Sequence, residues 1–326
     1  MGRATPAKGR KMNQTIAFEI IPPKDVELEI EPRTALKYLV TFPDGYRKTE
    51  AKGLIFAIPG YGDHAESDYQ CHKLRPYLAN KYDSLVVGVR YHNDMLDNKS
   101  FTIDLEEVRL FYDLEPAYFS KVFGVQSLID TIFSLLVQKG ISGFDYRLGL
   151  MVGCHDSYPS FGFLPALDHL SALADLTHRY LINKNKVLIC GSSYGGFIGM
   201  LMGKFAPKTF SVIIDNSGFC VTKLDNIIRF CNNESQHFFR ERNNRKYFIP
   251  YTIDTKWTLD ETSPFYFSEN HKRIRSLLEE SHRVPSDTIY CIFHSVMDKL
   301  IPVAHKDTCV DILNKYELLA KLICVI

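Results

Sequence analysis

The chain has 326 residues, of which 45% are hydrophobic and 24% are charged. This is an ordinary globular composition, and a chain of this length can bury a core without help from disulfides or metals. The formal net charge of +1 gives no sign of the basic face that binds nucleic acid. No apolar run approaches the roughly 20 residues that span a bilayer. We therefore expect neither nucleic acid nor a membrane as a partner.

The eight cysteines contain no C-x-x-C pair, so a zinc or redox motif has no support. Cys190 and Cys291 lie inside apolar runs, where a free cysteine behaves as a small hydrophobe. No apolar signal-peptide segment follows the basic first eleven residues. The sequence therefore predicts a cytoplasmic protein with reduced thiols, in which residues 1–11 are a tag or a flexible extension.

The N-terminal part of the chain contains short segments that favour β-structure. Val26, Leu28 and Ile30 alternate with acidic residues, a pattern that predicts a half-solvated antiparallel strand. The three predicted strands are TIAFEII (15–21), VELEI (26–30) and ALKYLVTF (35–42).

From Gly53 onward the predicted strands are continuous apolar runs, which suit parallel strands buried on both faces. Helical stretches separate them: one (127–140) ends at Gly140 as a helix C-cap would, and another (164–181) has leucines at helical spacing. This alternation predicts an α/β fold with a doubly wound, mostly parallel sheet and antiparallel N-terminal strands. The predicted parallel strands are GLIFAI, SLVVGV, RLGLMV, KVLIC, FSVII and TIYCIF.

Residues 217–286 form a long, aromatic-rich interruption of this pattern. In a doubly wound sheet, insertions after strand ends lie over the carboxyl edge, where ligands bind. We predict a core of residues 12–216 and 287–326 with a cap insertion at 217–286. The alternative is that residues 217–286 form a surface insertion without a function.

The strongest chemical signal is Gly191-Ser192-Ser193-Tyr194-Gly195, a G-x-S-x-G match between an apolar strand and a small-residue helical stretch. That setting is the one in which a nucleophilic serine stands on a sharp strand-to-helix turn with its hydroxyl exposed. Gly191 and Gly195 are expected because strand and helix pass close together there. The spacing selects Ser193 over Ser192 as the nucleophile.

An acid should follow the nucleophile along the chain. Asp298, on the loop after a buried strand, is our prediction, and Asp215, at the end of FSVIID, remains the alternative. The oxyanion hole needs two backbone N–H donors. Tyr194, after the nucleophile, and Tyr61, in the loop after GLIFAI, are the predicted donors.

The catalytic histidine should lie one strand beyond Asp298, but the segment LAKLICVI reads as that strand and ends at Ile326. His305 is too close to Asp298, and His294 precedes it. His64 and His155 would have an unusual order along the chain. Either the sequence is truncated or the fold has lost its chemistry, and the apolar end favours truncation.

No metal or cofactor is predicted. Asp63, His64, Glu66 and Asp68 share one loop, but their spacing matches no established ligand pattern and favours a solvated loop. No phosphate-binding or dinucleotide-binding fingerprint is present.

The elbow region resembles the α/β-hydrolase superfamily, especially its acyl esterase and prolyl-oligopeptidase-like branches. The chain resembles most an uncharacterised bacterial family catalogued as domain of unknown function 2920. This resemblance implies the α/β-hydrolase fold, a nucleophile at Ser193, an acid at Asp298 and a longer carboxyl end holding a histidine. The matching segments, which span much of residues 53–306, are GSSYGGF, KFAP, IIDNSG, SPFYFSENHKRIRSLL and FHSVMDKLIPVAHK.

These residues lead to the hypothesis of a serine hydrolase of the esterase or deacylase type. Its substrate would be an ester or amide, such as an acyl group on a sugar or small metabolite, and it would react through an acyl-enzyme at Ser193. A non-catalytic binding protein with the same pocket and an acyltransferase that excludes water are the alternatives. The substrate and the oligomeric state stay open.

Overall fold

A computed structural model describes residues 14–30, 32–60, 62–94, 125–140, 148–151, 158–221, 236–242, 244–254, 256–298, 301–316 and 319–325. Within these ranges the strands form a main sheet of eight and a second sheet of three. In chain order they are β1 (Thr15–Ile20), β2 (Leu36–Thr41), β3 (Lys52–Ile58), β4 (Ser84–Arg90), β5 (Leu148–Met151), β6 (Ile182–Ser192), β7 (Val212–Asn216), β8 (Gln236–Arg242), β9 (Arg245–Asp254), β10 (Ile289–Ser295) and β11 (Leu319–Val325).

Both predicted helices are present, and Gly140 closes the first of them with a φ of +69°. That left-handed conformation is the one that glycine adopts at helix ends. No helix within the described ranges has the length and apolarity that crossing a membrane requires. The helices are α1 (Arg75–Tyr82), α2 (Val125–Lys139), α3 (Phe163–Arg179), α4 (Tyr194–Phe205), α5 (Glu269–Arg275) and α6 (Val303–Lys315), with a π-helical turn (Gln70–Leu74) before α1 and a 3-10 turn (Glu280–His282) after α5.

The main sheet has the order β1-β2-β4-β3-β6-β7-β10-β11. β2 pairs antiparallel with both β1 and β4, and the remaining neighbours are parallel. This confirms the predicted doubly wound, mostly parallel sheet with antiparallel N-terminal strands. Because β3, β6, β7 and β10 are parallel, their carboxyl ends lie along one edge of the sheet, where such folds bind ligands.

Both faces of the sheet are covered. Leu54, Phe56 and Ile58 of β3 belong to the largest cluster of buried side chains, which also contains residues of α3, α4 and α6. Ile55 and Ala57 point the other way and pack with Ala79 of α1. Successive residues of a strand face opposite sides, so β3 must be apolar from Leu54 to Ile58, as its sequence is.

The predicted strand at 26–30 is wrong. The Asp25 carboxylate accepts hydrogen bonds from the backbone N–H groups of Glu27, Leu28 and Ile30, at 3.0, 3.2 and 3.3 Å. An aspartate that binds the backbone donors just after it favours a turn over a strand ladder. The alternating pattern was real only in part, since Leu28 is buried whereas Val26 is 67% exposed.

The segment RLGLMV was predicted as a parallel strand of the main sheet, and this is also wrong. Its central part forms β5, which pairs in parallel with β9, and β9 pairs antiparallel with β8. An apolar run indicates a buried strand but carries no information about its partner. The second sheet thus joins a strand from before the nucleophile motif to two strands of the predicted cap. The cap boundaries themselves stay a prediction.

Because two histidines are buried, we predict that the protein loses stability in mild acid. Burial lowers the pKa of His92 and of His169 to about 4. A lowered pKa in the folded state gives stability that is present above the unfolded pKa of 6.5 and is lost as the pH falls toward 4. Between about pH 7.5 and pH 5, each ring should cost about 2 kcal/mol of unfolding free energy.

The variant His169→Leu tests this dependence, because the hydrogen bond of Nδ1 is to the Pro165 carbonyl of its own helix, at 2.7 Å, and does not join the ring to another element. Urea unfolding at the two pH values should show about 2 kcal/mol less acid destabilisation in the variant than in the wild type. An identical pH dependence of the two proteins would contradict a neutral buried ring at position 169.

Candidate active site

Ser193 lies between β6 and α4 with φ of 53° and ψ of −119°. A residue with a side chain adopts this region only at a cost of about 1–3 kcal/mol, and such strain clusters at functional sites. Two backbone hydrogen bonds hold the turn. Ser193 N–H donates to the Asn216 carbonyl at 2.7 Å, and Phe197 N–H donates to the Ser193 carbonyl at 3.1 Å. The side chain of Ser193 is half-buried, and no described residue hydrogen-bonds to its hydroxyl.

The two glycines of the motif lie where a side chain cannot fit. A Cβ added at Gly191 would stand 2.2 Å from the carbonyl oxygen of Gly195. One added at Gly195 would stand 2.2 Å from the carbonyl oxygen of Ile58. In both cases the clash is with backbone, which cannot swing away. The turn therefore has the strand-to-helix crowding that the sequence predicts.

The loop after β3 reaches the nucleophile turn, as the oxyanion prediction requires. A Cβ at Gly60 would lie 3.3 Å from the Cβ of Ser193. Tyr61, the predicted second oxyanion donor, lies outside the described residues. Tyr194 is the first residue of α4, so its N–H stands at the positive end of the helix dipole, which favours developing negative charge.

Asp298 lies on the loop that leaves β10, two strands from the nucleophile along the same edge of the sheet. Two hydrogen bonds within the loop stabilise it. Asp298 N–H donates to the Ser295 carbonyl at 3.1 Å, and Oδ1 accepts from Ile301 N–H at 3.2 Å. The Asp298 side chain is half-buried. This is where an acid that orients an imidazole would be expected.

Asp215, the alternative acid, is engaged elsewhere. Its side chain is fully buried, Oδ2 accepts a hydrogen bond from Lys306 Nζ, and Oδ1 accepts one from Gly218 N–H at 2.8 Å. Both carboxylate oxygens of Asp215 therefore accept hydrogen bonds from groups other than an imidazole. The Asp215–Lys306 pair was not found from the sequence, because a buried lysine carries no local signal.

None of the described candidate histidines hydrogen-bonds to Ser193. His294 is buried, and its Nε2 lies 2.9 Å from the Ile301 carbonyl, while its buried Nδ1 has no hydrogen-bond partner within the described part of the chain. His64 accepts from Glu66 N–H within its own loop. His305 is half-buried in the first turn of α6. The remaining candidate, His155, lies outside the described residues.

The acidic loop after β3 uses its charges within the protein. Glu66 forms ion pairs with Lys37 and Arg90, and Asp63 accepts from the Gln70 amide at 3.2 Å. Among the described residues, no group of three histidine, cysteine or acidic side chains could hold a metal ion. The six described cysteines are free thiols.

Solved structures that resemble this chain are α/β-hydrolases. A protein from Bacteroides ovatus, provisionally described as a dipeptidyl aminopeptidase IV, aligns with a TM-score of 0.54 and 10% identity over 99% of this chain and 33% of its own. An acylaminoacyl peptidase bound to a chloromethyl ketone aligns with a TM-score of 0.52 and 13% identity. The alignment covers 97% of this chain and 37% of the peptidase chain. Dipeptidyl peptidase 4 of Porphyromonas gingivalis aligns with a TM-score of 0.51 and 11% identity. The alignment covers 96% of this chain and 32% of the peptidase chain.

This chain therefore spans about a third of the length of these structures. At these identities the likeness establishes the fold. It confirms the predicted α/β-hydrolase architecture. The aligned structures are named as peptidases. No curated protein matches the chain.

The sequence also matches a family model, at residues 16–117 and 121–325. The match covers most of the chain, including the nucleophile turn and the Asp298 loop. It confirms the resemblance that the elbow and acid-loop segments predict. The chain belongs to the family described as protein of unknown function DUF2920.

Proposed function

We propose that this protein is a serine hydrolase that cleaves an ester or amide through an acyl-enzyme on Ser193. The backbone of Ser193 carries the proposal, because strain of this kind at a strand-to-helix turn presents a hydroxyl for attack. An acyl group on a sugar or small metabolite is the proposed substrate. We include amides as well as esters among the proposed substrates because the aligned structures are named as peptidases.

In the proposed reaction, Ser193 Oγ attacks the carbonyl carbon while an imidazole takes its proton. The backbone N–H groups of Tyr194 and Tyr61 stabilise the oxyanion, and Asp298 holds the imidazole in the required tautomer. The imidazole then protonates the leaving group, and water hydrolyses the acyl-enzyme. The family resemblance implies a histidine as the source of this imidazole.

A binding protein that uses the same pocket is the second candidate. One observation favours it, which is that no described histidine hydrogen-bonds to Ser193. An acyltransferase would use the same acyl-enzyme and pass the acyl group to an acceptor other than water.

Acyl trapping separates these functions. The protein is mixed with p-nitrophenyl acetate, quenched in acid, and digested for peptide mass mapping. The proposal predicts an acetyl group on the peptide that contains Ser193 and its loss to water over time. Faster loss to added alcohols than to water would favour a transferase. No acetylated peptide from folded protein would overturn the proposal and leave the binding protein.

A further inference from the structure

The Asp215–Lys306 pair lies between the two parts of the proposed active site. Asp215 is near the carboxyl end of β7, opposite Gly191 of β6 on one side and Ile292 of β10 on the other. The nucleophile turn follows β6, and the Asp298 loop follows β10. The carboxylate therefore sits at the strand that separates the nucleophile from the predicted acid.

One oxygen of this carboxylate packs against the nucleophile helix. A Cβ added at Gly196, near the start of α4, would lie 2.1 Å from Oδ1 of Asp215. The same oxygen accepts the Gly218 N–H hydrogen bond, and a Cβ at Gly218 would lie 2.6 Å from the backbone nitrogen of Phe197. This packing explains why a third glycine follows the motif. Asp215 thus lies against the first turn of the helix that follows Ser193.

The other oxygen reaches the helix that follows the acid loop. Oδ2 accepts from Lys306 Nζ, and Lys306 belongs to the first turn of α6. The loop of Asp298 runs between β10 and this turn, so a shift of α6 moves its far end. His294 of β10 contacts the same far end, because its Nε2 lies 2.9 Å from the Ile301 carbonyl.

The Asp215–Lys306 ion pair is also fully buried. The side chains of Lys306 and Asp215 are 1% and 0% exposed. Burial lowers the pKa of Lys306, but interactions with Asp215, Cys220 and Cys309 together raise it above its usual value. Two buried charges hold one geometry, because separating them leaves each unpaired in a medium of low polarity.

We infer that Asp215 and Lys306 are positioning residues, which fix the nucleophile turn relative to the Asp298 loop. Neither touches the substrate. The inference rests on the proposed function for its effect on turnover, whereas the mechanical coupling of the two segments can be measured without turnover.

The variants Asp215→Asn and Lys306→Met break the pair, and Glu27→Gln is the matched control. Glu27 forms a similarly buried ion pair with Arg275, which joins the 21–30 segment to α5 rather than to the nucleophile turn. If a single variant fails to fold, the double variant Asp215→Asn, Lys306→Met replaces it, because it leaves no unpaired charge in the core.

Steady-state kinetics on a small ester give the first readout. Misplacing reacting groups by about 1 Å can cost about 100-fold, so we expect kcat to fall about 100-fold with KM nearly unchanged. Glu27→Gln should lower the melting temperature and leave kcat unchanged. Equal kcat losses in Asp215→Asn and Glu27→Gln would overturn the inference, since both would then reflect stability alone.

Hydrogen exchange gives the second readout and needs no activity. In Asp215→Asn, peptides covering 191–197 and 295–302 should both exchange faster than in wild type, and in Glu27→Gln neither should. Unchanged exchange in either segment would overturn the inference. A wild-type protein that never turns over an ester would instead count against the proposed function, and the exchange result would still decide the positioning role.

Discussion

Replacing Ser193 by alanine should lower kcat for an ester substrate about 10⁶-fold, the scale of loss seen when the nucleophile of a serine hydrolase is removed. The hydroxyl forms the bond to the acyl group, so binding and oxyanion stabilisation alone would remain. The fold should be unaffected or slightly more stable. Ser193 has a φ of 53°, and alanine keeps the same strain without a polar side chain.

Ser192→Ala is the matched control for this experiment. Ser192 is the neighbouring hydroxyl, its side chain is exposed, and it is the last residue of β6. We expect this variant to keep nearly full activity. If Ser192→Ala loses as much activity as Ser193→Ala, the identification of the nucleophile is wrong.

Asp298→Asn should lower kcat about 10⁴-fold, because an amide can hold an imidazole in the wrong tautomer and cannot stabilise the imidazolium that forms. The loop should survive the change. The amide oxygen that the substitution introduces can still accept the hydrogen bond that Ile301 N–H now donates to Asp298 Oδ1 at 3.2 Å. KM should change little, since the carboxylate does not touch the acyl group. Steady-state kinetics measure both values.

Asp307→Asn is the control for charge, because Asp307 is exposed on the adjoining helix α6. It should leave kcat unchanged. A normal rate for Asp298→Asn would refute the role of Asp298 and return attention to the other carboxylates of this sheet edge.

The sequence was most informative where the pattern is local. The apolar strand, the glycines at 191 and 195 and the helix that follows lie within a few residues of one another, and steric demands on them appear directly as small residues. The parallel strands were also predictable, because burial on both faces requires continuous apolar runs. The main sheet and the nucleophile turn follow from these signals.

The errors and omissions arise where a particular side-chain contact or a distant partner strand decides the outcome. Asp25 redirects the backbone of 26–30 into a turn, a competition that alternation alone does not reveal. β5 pairs with β9, and an apolar run does not specify its neighbour. Lys306 and Asp215 are far apart in sequence, and only the folded chain brings their charges together.

Labelling with a fluorophosphonate, followed by peptide mapping, tests the central claim most directly. The 326-residue chain should be tested as wild type and as the variants Ser193→Ala and Ser192→Ala. We predict a single adduct on Ser193 that persists in Ser192→Ala and disappears in Ser193→Ala. A folded protein that takes up no probe, or an adduct on another residue, would contradict an activated serine at this turn.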